Sequence, residues 1–208
     1  VTAKRADDSL EQVASEVKVC PLCELCRSRT HAVPGEGNPE ARVMLIGEGP
    51  GWHEDQQGKP FVGASGKFLS ELLLNAGLSR EEVFITNVVK CRPPGNRDPL
   101  PDEIEACSGY LERQMELIDP DVVVTLGRFS MAKFFPGERI SKIHGQPKEM
   151  GKRLIVPMYH PAAALHQSAL RATIQEDFDS LPKLLADRER AREASRQQED
   201  RPSQSTLF

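Results

Sequence analysis

A chain of 208 residues that is 38% hydrophobic and 28% charged has apolar mass for one sizeable core and polar surface to coat it. Apolar runs fall short of the roughly 18 residues that cross a bilayer, and residues 1–19 are charged and amphipathic rather than signal-like. A membrane protein is therefore excluded, and a cytoplasmic monomer is expected. The formal net charge of −4 speaks against an anionic partner only as an average. Residues 102–119 hold six acids and one arginine, whereas 90–97 hold three cations and no acid and 139–153 hold five cations and one acid.

The first chemical signature along the chain is Cys20-Pro-Leu-Cys23, extended by Cys26, with Cys91 and Cys107 far downstream. Five thiols so unevenly spread make no disulfide framework. Four thiolates from two chain regions can enclose a metal centre, and spacing alone leaves zinc and an iron–sulfur cluster both open. The run RVMLIG (42–47) then predicts a buried strand, followed at once by the loop Gly47-Glu48-Gly49-Pro50-Gly51-Trp52-His53-Glu54-Asp55. Its glycines let backbone N–H groups approach a ligand closely, and two adjacent carboxylates stand at its far end. It matches neither a dinucleotide fingerprint nor a phosphate-binding loop.

Phe68, Leu69, Leu72, Leu73 and Ala76 recur at helical spacing, with Gly77 as a stop. A second strand, VFITNVV (83–89), carries Asn87 and leads into the basic loop 90–97. Pro101 followed by acids opens a helix over 104–118. Strands are predicted at 122–127 and 154–159, the latter ending on His160-Pro161. A closing helix over 169–186 contains Pro182, which predicts a kink or an early end. The mixed-charge run from 187 to 208 has little to bury and is expected to be disordered.

Strands alternating with helices imply an α/β fold, a three-layer α/β/α domain over residues 1–186 with a central, mostly parallel four-stranded sheet. Chemistry in such sheets collects at the carboxyl ends of the strands. The glycine loop, Asn87 and His160 all fall at that end.

Five stretches, G-E-G-N-P (35–39), G-E-G-P-G-x-x-E-D (47–55), G-K-P-F-V-G-x-x-G (58–66), I-T-N-V-V-K-C-R-P-P-x-N-R (85–97) and M-Y-H-P-A (158–162), run in the order of the family 4 uracil-DNA glycosylases, which the chain resembles from about residue 20 to 185. The resemblance implies excision of uracil from uracil-containing DNA by hydrolysis of the N-glycosidic bond. It implies a [4Fe–4S] cluster on Cys20, Cys23, Cys91 and Cys107, with Cys26 a spare thiol. Phe61 would stack on the extruded base, and Asn87 would read its Watson–Crick edge. His160, as a neutral donor to uracil O2, and the loop N–H groups near Glu48 and Gly49 would stabilise the departing anion. Glu54 or Asp55, with Glu54 preferred, would stabilise the sugar cation or orient the attacking water.

Lys142-Ile143-His144 is similar to the loop of a mycobacterial relative that binds uracil-DNA covalently and irreversibly. That likeness implies an alternative in which His144 is the nucleophile, although the relative's basic insertion is absent here. The terminal Gln204-Ser205-Thr206-Leu207-Phe208 looks like the peptide by which bacterial repair proteins dock on the DNA sliding clamp, with Gln204, Leu207 and Phe208 as contacts.

Overall fold

The computed structural model describes residues 8–199. Its strands are β1 (Glu36–Gly37), β2 (Val43–Gly47), β3 (Phe84–Asn87), β4 (Val122–Leu126), β5 (Lys148–Met150) and β6 (Arg153–Met158). They form one sheet in the order β1-β3-β2-β4-β6-β5. The central four strands are mutually parallel, as expected. The sheet is wider than four strands because β1 and β5 pair antiparallel at its two edges. With two and three residues, they are too short to show an alternation in the sequence.

Ten α-helices are present among the described residues: α1 (Leu10–Val19), α2 (Leu25–Ser28), α3 (Trp52–Gln57), α4 (Ala64–Asn75), α5 (Pro101–Ile118), α6 (Arg128–Ala132), α7 (Ile140–Ile143), α8 (Pro161–His166), α9 (Leu170–Asp179) and α10 (Leu181–Glu199). Strand alternation turns Met44, Ile46, Val123 and Ile155 to one face, where Val13 and Val17 of α1, Leu111 and Met115 of α5 and Met131 of α6 cover them. The other face carries Val43, Leu45, Val122, Val124 and Val156, packed by Leu69, Leu72 and Leu73 of α4 and Ile174 and Phe178 of α9. Each such fully buried aliphatic or aromatic side chain contributes roughly 1.5–3 kcal/mol of transfer free energy. The result is the expected three layers.

The closing helical segment breaks at Ser180, and Pro182 falls in the first turn of α10, where a missing N–H costs nothing. α10 runs past residue 186 to Glu199. Charge pairing offsets its lack of apolar surface: Arg188 reaches Glu149, and Arg192 reaches the buried Asp121 at 2.6 Å. The clamp-like peptide at Gln204, Leu207 and Phe208 lies outside the described residues. Among these residues no helix is long and apolar enough to cross a membrane.

Winding decides where the cleft opens. The chain leaves β2 for β3 through α4 on one face, then reaches β4, on the other side of β2, through α5 on the opposite face. Loops therefore diverge at the carboxyl end of β2, leaving a crevice there.

Candidate active site

At that point lies an open cleft of about 270 Å³, lined by Glu48, Gly49, Gly51, Glu54, Phe61, Asn87 and His160, together with Ser65, Pro93, Asn96 and Arg97. Asn87 ends β3 and is 2% exposed. Among the described residues its Oδ1 is one of four buried side-chain polar atoms without a hydrogen-bond partner. An unmet buried acceptor costs about 1–3 kcal/mol, so a ligand donor there is strongly rewarded. Gly47 makes the arrangement possible: a Cβ on it would lie 2.3 Å from Asn87 Oδ1 and 2.8 Å from the Phe61 ring.

Phe61 sits at φ +52°, a left-handed conformation that is uncommon outside glycine and costs on the order of 1–3 kcal/mol. Its neighbours hold it there. Glu54 Oε1 accepts from Val62 N at 2.8 Å and from Gly63 N at 2.9 Å. Gly66 leaves room for the Phe61 carbonyl, which a Cβ would approach to 1.9 Å.

The same carboxylate closes the glycine loop, Oε2 accepting from Gly51 N at 3.1 Å. A carboxylate offers about four lone-pair sites, and three of Glu54's are taken by backbone donors. It is thus a fixed negative charge on the cleft wall. Asp55, grouped with Glu54 in the sequence reading, does not line the cleft. Its Oδ1 accepts from Thr30 N at 2.9 Å, anchoring the segment before β1 to α3. Adjacent helix positions point about 100° apart, which is why one of the pair faces the cleft and the other faces away. Glu48 lines the cleft too, and burial raises its pKa above the ordinary carboxylate value, reinforced by Asp98 and opposed by Arg128. The carbonyls of Gly47 and Glu48 accept from Val88 N and Val89 N, which pins the loop along the continuation of β3.

His160 caps α8, its Nδ1 accepting from Ala162 N at 3.1 Å. In the neutral ring the proton then resides on Nε2. Burial pushes the imidazole down to about 4, against a smaller opposing effect of Glu54. The ring stacks on Phe61 with centroids 5.4 Å apart and planes at 26°. Gly127, at φ +92°, leaves the space into which the His160 Cβ fits, 3.1 Å from where a side chain would begin. A neutral Nε2–H donor, an aromatic face and an amide edge are therefore gathered in one cleft.

His144 stands apart from this group. Its Nδ1 donates to both carboxylate oxygens of Asp177, at 2.9 and 3.1 Å, and its ring packs against Tyr159. It does not line the cleft.

Away from the cleft, Cys20, Cys23, Cys26, Cys91 and Cys107, all free thiols, line a second, small pocket. Burial pushes the Cys107 thiol up to about 11 and raises Cys91 as well. Arg29 Nη1 donates to Cys91 Sγ at 3.1 Å, and Lys90 N donates to Cys107 Sγ at 3.3 Å. The Lys90 side chain is buried, and its three acceptors, Thr86 Oγ1, Asn87 O and Gln114 Oε1, are all uncharged. A buried ammonium and a guanidinium beside four or five thiols suit an anionic group bound through sulfur. Among the described residues no three His, Cys, Asp or Glu side chains converge on a single ion.

Sequence reasoning counted Lys90 and Arg97 only as cations of a basic loop and gave Gly127 no role. Lys90 had a signal, a lone cation between a β-branched run and a cysteine. Arg97 is held by Glu103 at 2.6 and 2.9 Å, a pairing across six residues through a turn that no periodicity announces.

Comparison with known proteins bears on the whole arrangement. A profile of the Uracil DNA glycosylase superfamily matches residues 34–181. The Type-4 uracil-DNA glycosylase of Sulfurisphaera tokodaii is 51% identical over 187 residues, covering 85% of each chain. That of Saccharolobus solfataricus is 49% identical over 189 residues, covering 86% of this chain and 88% of its own. That of Thermotoga maritima is 43% identical over 178 residues, covering 83% and 93%. With its site geometry and a match over most of its length, the chain belongs to the uracil-DNA glycosylase superfamily.

Proposed function

We propose that this chain removes uracil from DNA by hydrolysing the N-glycosidic bond and leaving an abasic site. The orphaned, buried Oδ1 of Asn87 carries the reading. Uracil offers a donor at N3 and an acceptor at O4, which one carboxamide satisfies together. Cytosine offers the reverse and would leave two buried polar groups unpaired. An extruded uracil would lie on the Phe61 ring, with its Watson–Crick edge toward Asn87.

As the bond breaks, the base becomes an anion and the sugar a cation. The Nε2–H of His160 would donate to O2 of the departing uracil, and the low pKa keeps the ring neutral and the donor unchanged across physiological pH. Glu54, immobilised by three backbone N–H groups, would face the sugar cation as a preorganised charge. Turnover is favoured over capture because His144 lies outside the cleft lining. The test is a uracil-containing oligonucleotide offered in excess: alkali-labile sites should accumulate, with no SDS-resistant protein–DNA band.

Cys20, Cys23, Cys91 and Cys107 would hold a [4Fe–4S] cluster, whose chemistry here is bonding: four sulfur ligands drawn from three chain segments. Cys107→Ser should lose bound iron and the brown colour, and Cys26→Ser should keep both, as measured by iron content and visible absorbance. The reverse pattern would reassign the ligands. The C-terminal peptide would dock on the sliding clamp.

A further inference from the structure

Trp52 is the chain's single tryptophan, begins α3 and is 52% exposed. An indole left in water forgoes a large burial free energy, so its position matters. Trp52 itself is outside the cleft lining, but the residue before it, Gly51, and the residue two after it, Glu54, both belong to that lining. The ring is braced edge-on by His53, with centroids 4.9 Å apart and planes at 84°. His53 in turn lies against Gly63, where a Cβ would come within 3.3 Å of its Cδ2. Gly63 donates to Glu54, so the indole belongs to the same frame that fixes Phe61.

Its surroundings indicate what it meets. Of the six exposed large hydrophobic side chains among the described residues, Trp52, Leu74, Leu100 and Leu165 occur in segments that follow β2, β3 and β6; Leu74 lies at the far end of α4, whereas Trp52 begins α3, Leu100 precedes α5 and Leu165 lies in the short α8. The partner at this rim has to be flat and apolar-faced and has to enter a cleft that also presents Arg97. A nucleotide satisfies both demands, its base lying on the indole and its phosphate near a guanidinium that stays 39% exposed while paired with Glu103.

We propose that Trp52 is a second stacking platform, on which a nucleobase adjacent to the extruded uracil lies. The inference rests on the uracil-excision reading, which places DNA across this cleft. An unpaired neighbour reaches the indole without breaking a base pair, so the platform favours single-stranded or frayed substrates over closed duplex.

The test uses the intact, cluster-loaded protein and a labelled oligonucleotide carrying a 2′-fluoro-deoxyuridine, which resists cleavage because the fluorine destabilises the sugar cation. Saturating single strand, with binding confirmed by anisotropy, should quench the emission of the only tryptophan. From the usual strength of base–aromatic stacking, Trp52→Ala should weaken single-strand binding by about 5- to 100-fold, with a smaller loss on duplex, and Trp52→Phe should restore most of it. The loss should appear in Kd and KM. Unchanged emission at saturation, or a Trp52→Ala variant that binds single strands like the wild type, would overturn the platform. Excision with a silent Trp52 sinks the platform alone. A quenched Trp52 in a protein that leaves uracil in place sinks the excision reading alone.

Discussion

Replacing Asn87 with aspartate should lower kcat/KM for uracil excision by about 100- to 1000-fold, the scale seen when a preorganised donor is removed from a catalytic site. The substitution is nearly isosteric, so the volume beside Gly47 and Phe61 is kept. What changes is the pattern. A carboxylate accepts from N3–H but repels O4, and at 2% exposure it has little water to fall back on. Single-turnover kinetics on a uracil-containing oligonucleotide would show the loss. Excision within a few-fold of wild type would remove Asn87 from the reading of the base.

His160→Ala should reduce the chemical step by about 100-fold while leaving DNA affinity within a few-fold, because its hydrogen bond strengthens chiefly as charge appears on O2. A parallel loss of binding would make it a residue that grips DNA instead. The same histidine sets a pH signature. Its pKa is about 4 in the fold, against 6.5 ordinarily, so between those values the unfolded chain binds the proton and the folded chain does not. The histidine's contribution to stability is whole above pH 6.5 and declines as pH falls toward 4. Ring resonances titrating near 6.5 would contradict the buried, neutral assignment.

The four parallel strands were legible because each is a short β-branched run between turn residues, and α4 and α5 because their apolar positions repeat at helical spacing with a glycine stop or a proline start. The edge strands were not, since two or three residues carry no period. α10 ran past its expected end because long-range ion pairs, such as Arg192 with Asp121, leave no local trace. At the site, position at the strand ends pointed to Asn87 and His160, and the family resemblance supplied Phe61. Glu54 was preferred to Asp55 there, but the reason, that the turn of α3 sends the two adjacent carboxylates in different directions, shows only in the fold. Nor could the sequence reveal Glu54 as the tie between the Gly51 loop and the Phe61 turn, which depends on backbone donors eight and nine residues away. His144 was singled out by its loop sequence alone, and its pairing with Asp177, thirty-three residues on, becomes visible only in the fold.

The central claim is hydrolytic turnover at the Asn87–His160 cleft. Its most direct measurement is the ratio of abasic sites formed to protein present, with one half of each reaction treated with alkali and the other run in SDS. The account predicts many alkali-labile sites per chain and no SDS-resistant complex, in the wild type and in His144→Ser alike. A single equivalent of uracil-DNA held in an SDS-resistant band, and lost in His144→Ser, would contradict it.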